Sequence, residues 1–285
     1  METSKKIGFI GQGWIGKNYA DDFEERGFSV VRYAKEPQYE GNKDAIAECD
    51  IVLIAVPTPT TPEGFDDSII RAVLPLVGKR KIAVLKSTIV PGTTAKLQEM
   101  FPDITLLYSP EFLSEATAKY DTSNPFASVV GVSKETDMHR SAAEEVLSVL
   151  PKAPFSLVCK STEAEIFKYT HNTSGFIQII FFNMMYDFAT KMGCDWSVIR
   201  SAIMSDPFIP NRYSEPIHKS GRGAGGHCFI KDFEAFAGAY RSVLSQDQVG
   251  GMLLQANIRK NIELLKQTHK DLDLLEGVYG PDVLK

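Results

Sequence analysis

The stretch Gly11-Gln12-Gly13-Trp14-Ile15-Gly16 does most to limit what this chain can fold into. It follows a short apolar run at residues 7–10 and precedes a helical pattern through Tyr19, Ala20 and Phe23. In a strand–turn–helix setting, the three glycines of G-x-G-x-x-G allow a tight turn, close backbone approach to a pyrophosphate, and close packing of the helix on the strand. The competing reading is a glycine-rich turn that holds no ligand.

The next strand, residues 28–33, ends where an acidic residue ordinarily holds the adenosine ribose. Tyr33 stands at that position, about twenty residues past the first glycine, with Arg32 and Lys35 beside it. Basic residues there accept a 2′-phosphate, so both NAD and NADP stay open; the plainer reading stacks Tyr33 on adenine and leaves Arg32 a solvated charge. Further strands at 50–56, 82–85, 106–108, 127–132 and 155–158, with helices at 66–77 and 136–150, continue the alternation to about residue 160. This pattern predicts an α/β fold with a Rossmann-type doubly wound parallel sheet over residues 1–160. Three polar loops then fall at the carboxyl edge of the sheet, where open α/β folds bind ligands. They are Val56-Pro57-Thr58-Pro59, Lys86-Ser87-Thr88-Ile89-Val90-Pro91-Gly92-Thr93, and Ser109-Pro110-Glu111-Phe112-Leu113-Ser114-Glu115. Glu111 and Glu115 read equally as acids at a helix start.

From Lys160 the texture becomes helical, with unbroken periodicity over residues 161–192. Lys168 and Asn172 lie four apart and so share a face, although a lysine among apolar residues also snorkels to water. Such a long apolar helix suggests a domain backbone packed against other helices, and a dimer interface. A helix at 195–204 follows, then an irregular loop with Arg212 and a flexible, basic, glycine-rich lead-in from Lys219. That lead-in ends in Gly225-Gly226-His227-Cys228-Phe229-Ile230-Lys231-Asp232, which places a thiol, an ammonium and a carboxylate within five positions at a helix start. The plain alternative is a small buried cysteine after a turn. Residues 161–270 read as an all-helical domain and 271–285 as a tail.

The 31 basic and 36 acidic residues leave a net charge of -5, with no electrostatic footprint for nucleic acid or an anionic membrane. The opening from Met1 to Lys6 and the short apolar run after it fit neither a signal peptide nor a membrane span, so a cytoplasmic protein is expected. Cys49, Cys159, Cys194 and Cys228 stand far apart, indicating neither a disulfide framework nor a metal site.

Taken in order, the glycine turn, the three edge loops, the segment from Glu165 to Asn172 and the cysteine stretch resemble the UDP-glucose/GDP-mannose dehydrogenase family. The resemblance implies a four-electron oxidation of a sugar primary alcohol to a carboxylate with NAD, through a Cys228 thiohemiacetal and thioester. It implies oxyanion stabilisation by Lys168 and Asn172, acid/base roles for Asp232 and Glu111, and a catalytic water at Thr88. Gly11 to Gly16, Arg32, Tyr33, Lys35, Val56, Pro57, Thr58, Ser87, Thr88 and Glu115 are the expected cofactor contacts. Glu111, Phe112, Leu113, Glu115, Lys168, Asn172, Arg212, Lys219, Gly225 and Lys231 make up the expected substrate set, Arg212 reaching the substrate of a neighbouring subunit in a homodimer. Arg222 and Ala224 depart from the family's glycine-rich loop and are expected to alter the sugar pocket. The chain stops at Lys285, where the family continues into a domain that binds the nucleotide diphosphate, so a nucleotide-sugar substrate is expected to be held differently. Two rivals remain: a two-electron dehydrogenase of the 6-phosphogluconate or 3-hydroxyisobutyrate type, and a catalytically silent partner of a full-length dehydrogenase.

Overall fold

The computed structural model describes residues 5–285; residues 1–4, the start of the polar opening, lie outside the described residues. Two compact units are present, one built from residues up to Thr58 with Asp66–Lys168, the other from Pro59–Phe65 with Tyr169–Lys285.

The strands in chain order are β1 (Lys6–Ile10), β2 (Ser29–Tyr33), β3 (Ile51–Ile54), the hairpin β4 (Thr60–Thr61) and β5 (Gly64–Phe65), β6 (Ile82–Leu85), β7 (Thr105–Tyr108), β8 (Ala127–Val132) and β9 (Phe155–Lys160). All but the hairpin form the first unit's seven-stranded sheet, in the order β2-β1-β3-β6-β7-β8-β9. Six helices accompany it: α1 (Trp14–Glu25), α2 (Pro37–Glu40), α3 (Ser68–Val73), α4 (Thr93–Met100), α5 (Ala118–Ser123) and α6 (Asp137–Val149). The central strands β3, β6 and β7 are buried at every position. Short continuous apolar runs of this kind are what a sheet covered on both faces requires. Phe9 and Phe23 meet edge to face at 5.5 Å, joining α1 to the sheet within a core that includes Ile7, Leu53, Val84 and Val130.

The parallel register pairs Ile10 with Ile54, Ile54 with Leu85, and Leu85 with Tyr108. The residues that follow, Gly11, Ala55, Lys86 and Ser109, therefore leave the sheet side by side at one edge. Not all seven strands are parallel, however: β8 runs antiparallel to β7, and β9 runs with β8. A parallel return needs a crossover that carries the chain back along the sheet. The six residues of α5 span only about 9 Å at 1.5 Å per residue, so the chain re-enters from the edge it has just left.

In the second unit, α7 (Ser161–Lys191), α8 (Trp196–Ser205), α9 (Gly226–Val243), α10 (Gln248–Gln267) and α11 (Leu272–Tyr279) pack together, α7 starting inside the first unit. Phe176 of α7 stacks on Phe233 of α9 at 3.9 Å, with Ala237, Leu254, Ile258 and Leu264 around them. The segment read as a tail is ordered structure: Leu275 and Val278 of α11 are buried against Ile230 and Leu265. Burying one such side chain contributes roughly 1.5–3 kcal/mol, enough to fix a short terminal helix that local signals leave unmarked. Among the described residues no helix is long and apolar enough to cross a membrane.

Candidate active site

The glycine turn at the end of β1 is shaped by three different constraints. Gly11 has φ of +90°, and a Cβ there would sit 2.3 Å from the Ala55 carbonyl oxygen. A Cβ on Gly16 would lie 1.9 Å from the carbonyl oxygen of Gly11, so α1 packs against the turn only without a side chain there. Gly13, by contrast, faces open space and N-caps α1, whose first turn has neither a side-chain cap nor an acidic residue. Uncapped N–H groups at a helix start, with room above them, suit a dinucleotide pyrophosphate. The residues present therefore fit an NAD-type cofactor. Gln12 is buried and donates to the Gly11 carbonyl, Ile15 packs on the core, and Trp14 is exposed.

Arg32 is neither a solvated charge nor an open receptor. Its guanidinium is 2.7 Å from Asp21 and 2.7 Å from Glu24, both on α1, and also donates to Gln12 Oε1. The Tyr33 carbonyl accepts from the Gly11 N–H, while Lys35 is exposed. Ser87 Oγ accepts from the Val56 N–H at 3.0 Å and donates to the Val56 carbonyl at 2.7 Å, and Thr58 Oγ1 donates to the Thr88 carbonyl at 2.8 Å. These bonds stitch the loop through Pro57 to the one through Thr88.

Glu111 and Glu115 do not start a helix. Residues 109–117 form a loop, because Pro110 supplies no N–H and the Glu111 carboxylate turns back to accept from Leu113. Burial pushes the Glu111 carboxyl up, but the Lys168 ammonium, the Leu113 N–H and the charge of Lys86 together hold it below the ordinary carboxylate value. Lys168 does not snorkel. It is buried, donating to the Glu111 carbonyl at 2.6 Å and to Oε1 at 2.9 Å, with its ammonium 5.2 Å from the Phe112 ring. Phe112 is wedged between Phe126 and Phe167, and Leu113 packs on the sheet core, so the loop is held from both sides. Glu115 is exposed.

Two buried groups that support the edge loops carry no role in the sequence reading. Lys86 donates to Ser109 Oγ and to the Pro110 carbonyl and lies over Tyr19, and burial lowers its pKa to about 7. Glu165 is 0% exposed and accepts from the N–H groups of Gly92 and Thr94 and from the Thr94 hydroxyl. It thereby caps α4 from a different helix, one turn before Lys168. Each lies inside a matched motif, yet only the path of the chain gives it its partners.

In the second unit, Cys228 is exposed in the first turn of α9, which rules out the buried packing role. One turn later, Asp232 is 1% exposed and accepts from Asn172 Nδ2 at 2.6 Å and from Lys231. Asn172 lies one turn along α7 from Lys168, so a single helix presents both an ammonium and an amide. Arg212 is exposed over the ring of Tyr213, and Lys219 is exposed with φ of +56°.

The lead-in to Cys228 is not a flexible loop. Residues 261–271 bond its backbone along its length: Thr268 Oγ1 accepts from Arg222 N–H, Lys270 donates to the Gly223 carbonyl, Asn261 bonds both N–H and C=O of Ala224, and Asp271 accepts from Gly226 N–H. A Cβ on Gly225 would lie 2.0 Å from the Asp271 carboxylate, the group that accepts from the Gly226 N–H, so a side chain there would push the brace aside. Ala224 is buried in the helical core, and Arg222 reaches Asn183 and Asp187 of α7, so the structure gives both departures internal packing roles. No short spacing in the sequence signals this brace.

Residues 38–150 match the UDP-glucose/GDP-mannose dehydrogenase family, NAD binding domain, and residues 162–274 match its central domain. The UDP-glucose 6-dehydrogenase TuaD of Bacillus subtilis is 27% identical over 322 residues, covering 97% of this chain and 67% of its own length. YtcA of the same organism is 29% identical over 245 residues, 81% of this chain and 54% of YtcA, so the chain spans about half the length of some relatives it matches. Among solved structures, a UDP-glucose dehydrogenase from the archaeon Pyrobaculum islandicum superposes with a TM-score of 0.77 at 26% identity, over 93% of this chain and 71% of that one. A 3-hydroxyisobutyrate dehydrogenase from Mycobacterium tuberculosis shares the fold, with a TM-score of 0.70 at 17% identity over 97% of this chain and 99% of that one. The two matched domains together cover well over half of the chain, and the chain belongs to the UDP-glucose/GDP-mannose dehydrogenase family.

Proposed function

We propose that this chain oxidises the primary alcohol of a nucleotide-linked sugar to a carboxylate, with Cys228 as the nucleophile. The observation that carries the reading is the exposed Cys228 thiol at the start of α9, on the same helix as the buried, amide-bonded Asp232. A two-electron oxidation has no use for such a thiol. The nicotinamide, when bound, accepts a hydride in each of two oxidations.

The chain's own residues do the rest. Glu111, held ionised, takes the hydroxyl proton as the alcohol becomes an aldehyde. Cys228 Sγ bonds to the aldehyde carbon and the thiol proton passes to Asp232, while the Lys168 ammonium and the Asn172 amide hold the oxygen anion of the thiohemiacetal. The second oxidation leaves a thioester on Cys228. Water held by Thr88 adds to its carbonyl, the C–S bond breaks, and the thiolate recovers a proton. In sum, one alcohol, one water and two oxidised cofactors give one carboxylate, two reduced cofactors and three protons.

The test is cofactor reduction across a panel of UDP- and GDP-linked sugars, scored for stoichiometry. Two reduced cofactors per sugar support the thioester route. One per substrate supports the hydroxyacid-dehydrogenase rival, and cofactor binding without turnover supports a silent partner.

The chain is further proposed to form a homodimer through its central helices. Support comes from Ile177, Phe181, Met184, Met185 and Phe188, which form an exposed apolar stripe along α7, with Met192 exposed just past its end. An apolar stripe of this length suits burial against a second copy.

A further inference from the structure

Arg32 is the one arginine at the end of β2, where a 2′-phosphate is read in NADP-dependent relatives of this fold. The side chain lies over the glycine turn, since NH1 reaches both Asp21 Oδ1 at 2.7 Å and Gln12 Oε1 at 3.3 Å. Its other two nitrogens are taken by Glu24: NH2 to Oε2 at 2.7 Å and Nε to Oε1 at 3.0 Å. With Nε and NH2 bonded to Glu24 and NH1 shared between Asp21 and Gln12, no adjacent pair of the five guanidinium N–H donors is left to grip a phosphate. Lys17 lies 2.6 Å from Asp21, so the cluster of Lys17, Asp21, Glu24 and Arg32 carries no surplus positive charge. Only 12% of the Arg32 side chain is exposed, against 49% for Glu24.

We propose that Asp21 and Glu24 set the selectivity of this domain for NAD over NADP, by occupying Arg32 and turning it into a strut for Gln12 of the glycine turn. A dianionic 2′-phosphate brought to this edge meets a neutralised guanidinium and the carboxylate of Glu24. The adenosine ribose of NAD, carrying no charge, meets no such penalty. The inference rests on the cofactor assignment and is independent of the sugar chemistry.

The experiment titrates wild type, D21N/E24Q and D21N/E24Q/R32A separately with NADH and NADPH, reading dissociation constants from nicotinamide fluorescence. Both amides keep the size of the acids they replace, and circular dichroism checks the fold. Wild type is expected to bind NADH about tenfold or more tightly than NADPH. D21N/E24Q is expected to gain about tenfold for NADPH, in line with one charge-assisted bidentate contact, while NADH changes little. The triple variant is expected to lose that gain. Equal affinities in wild type, an unchanged ratio in D21N/E24Q, or a gain that survives removal of Arg32 would each overturn the proposal; the last would assign the phosphate to Lys35. Failure of wild type to bind either dinucleotide would overturn the cofactor assignment, and the proposal with it.

Discussion

Replacing Lys168 by methionine keeps most of the stem and deletes the charge, and its cost in stability is expected to grow with pH. At the 2.9 Å separation from Glu111 Oε1, the attraction is about 6 kcal/mol with an effective dielectric constant near 20. Part of this is cancelled because the ammonium no longer has to be buried, leaving about 3–5 kcal/mol as the cost of stranding a buried charge. In the parent, the Glu111 pKa lies below its ordinary 4.5, so its stabilisation is present above pH 4.5 and lost as pH falls through the folded value. In K168M the effect of burial is expected to dominate and to lift the folded pKa above 4.5. Stability then falls as pH climbs from 4.5 through that raised value. Urea denaturation followed by circular dichroism at pH 5 and pH 8 reads the difference directly. The penalty is expected to be small at pH 5 and near its full size at pH 8, and K168M/E111Q, which no longer buries a charge, is expected to recover most of it. An equal penalty at both pH values, or no recovery in the double variant, would show that Glu111 is not held ionised by Lys168.

Cys228→Ser is expected to abolish carboxylate formation while leaving NADH affinity within about twofold, since in the proposed route the thiol bonds to the sugar carbon and not to the cofactor; carboxylate at the parental rate would rule out the covalent route. Asn261→Leu strands the N–H and C=O of Ala224, at roughly 1–3 kcal/mol each, and is expected to lower the urea midpoint and change the rate at which iodoacetamide alkylates Cys228. An unchanged alkylation rate, resolved by peptide mass spectrometry, would separate the brace from the nucleophile. Phe181→Glu with Phe188→Glu is expected to give a monomer in sedimentation velocity, and a parent that is already monomeric would refute the dimer.

What could be read without coordinates lies within a few residues of itself. The strand before Gly11 and the helix after Gly16 give the turn its meaning. Helical periodicity puts Lys168 and Asn172 on one face, and Cys228 and Asp232 one turn apart. Spacing of this kind is set by 3.6 residues per turn and needs no knowledge of where the chain goes next. The tertiary path decided the rest. Lys168 meets Glu111 across 57 positions and Asn172 meets Asp232 across 60, and those contacts turn isolated charges into a buried, ionised pair and an amide-bonded carboxylate. Arg32 looks like a phosphate receptor beside Tyr33 and Lys35, yet α1 brings it two carboxylates. The lead-in to Cys228 looks flexible from its glycines, yet Asn261, Thr268, Lys270 and Asp271 bond its backbone. A residue type states which charge or hydrogen bond it can offer; whether that group is free, paired or buried depends on neighbours distant in sequence.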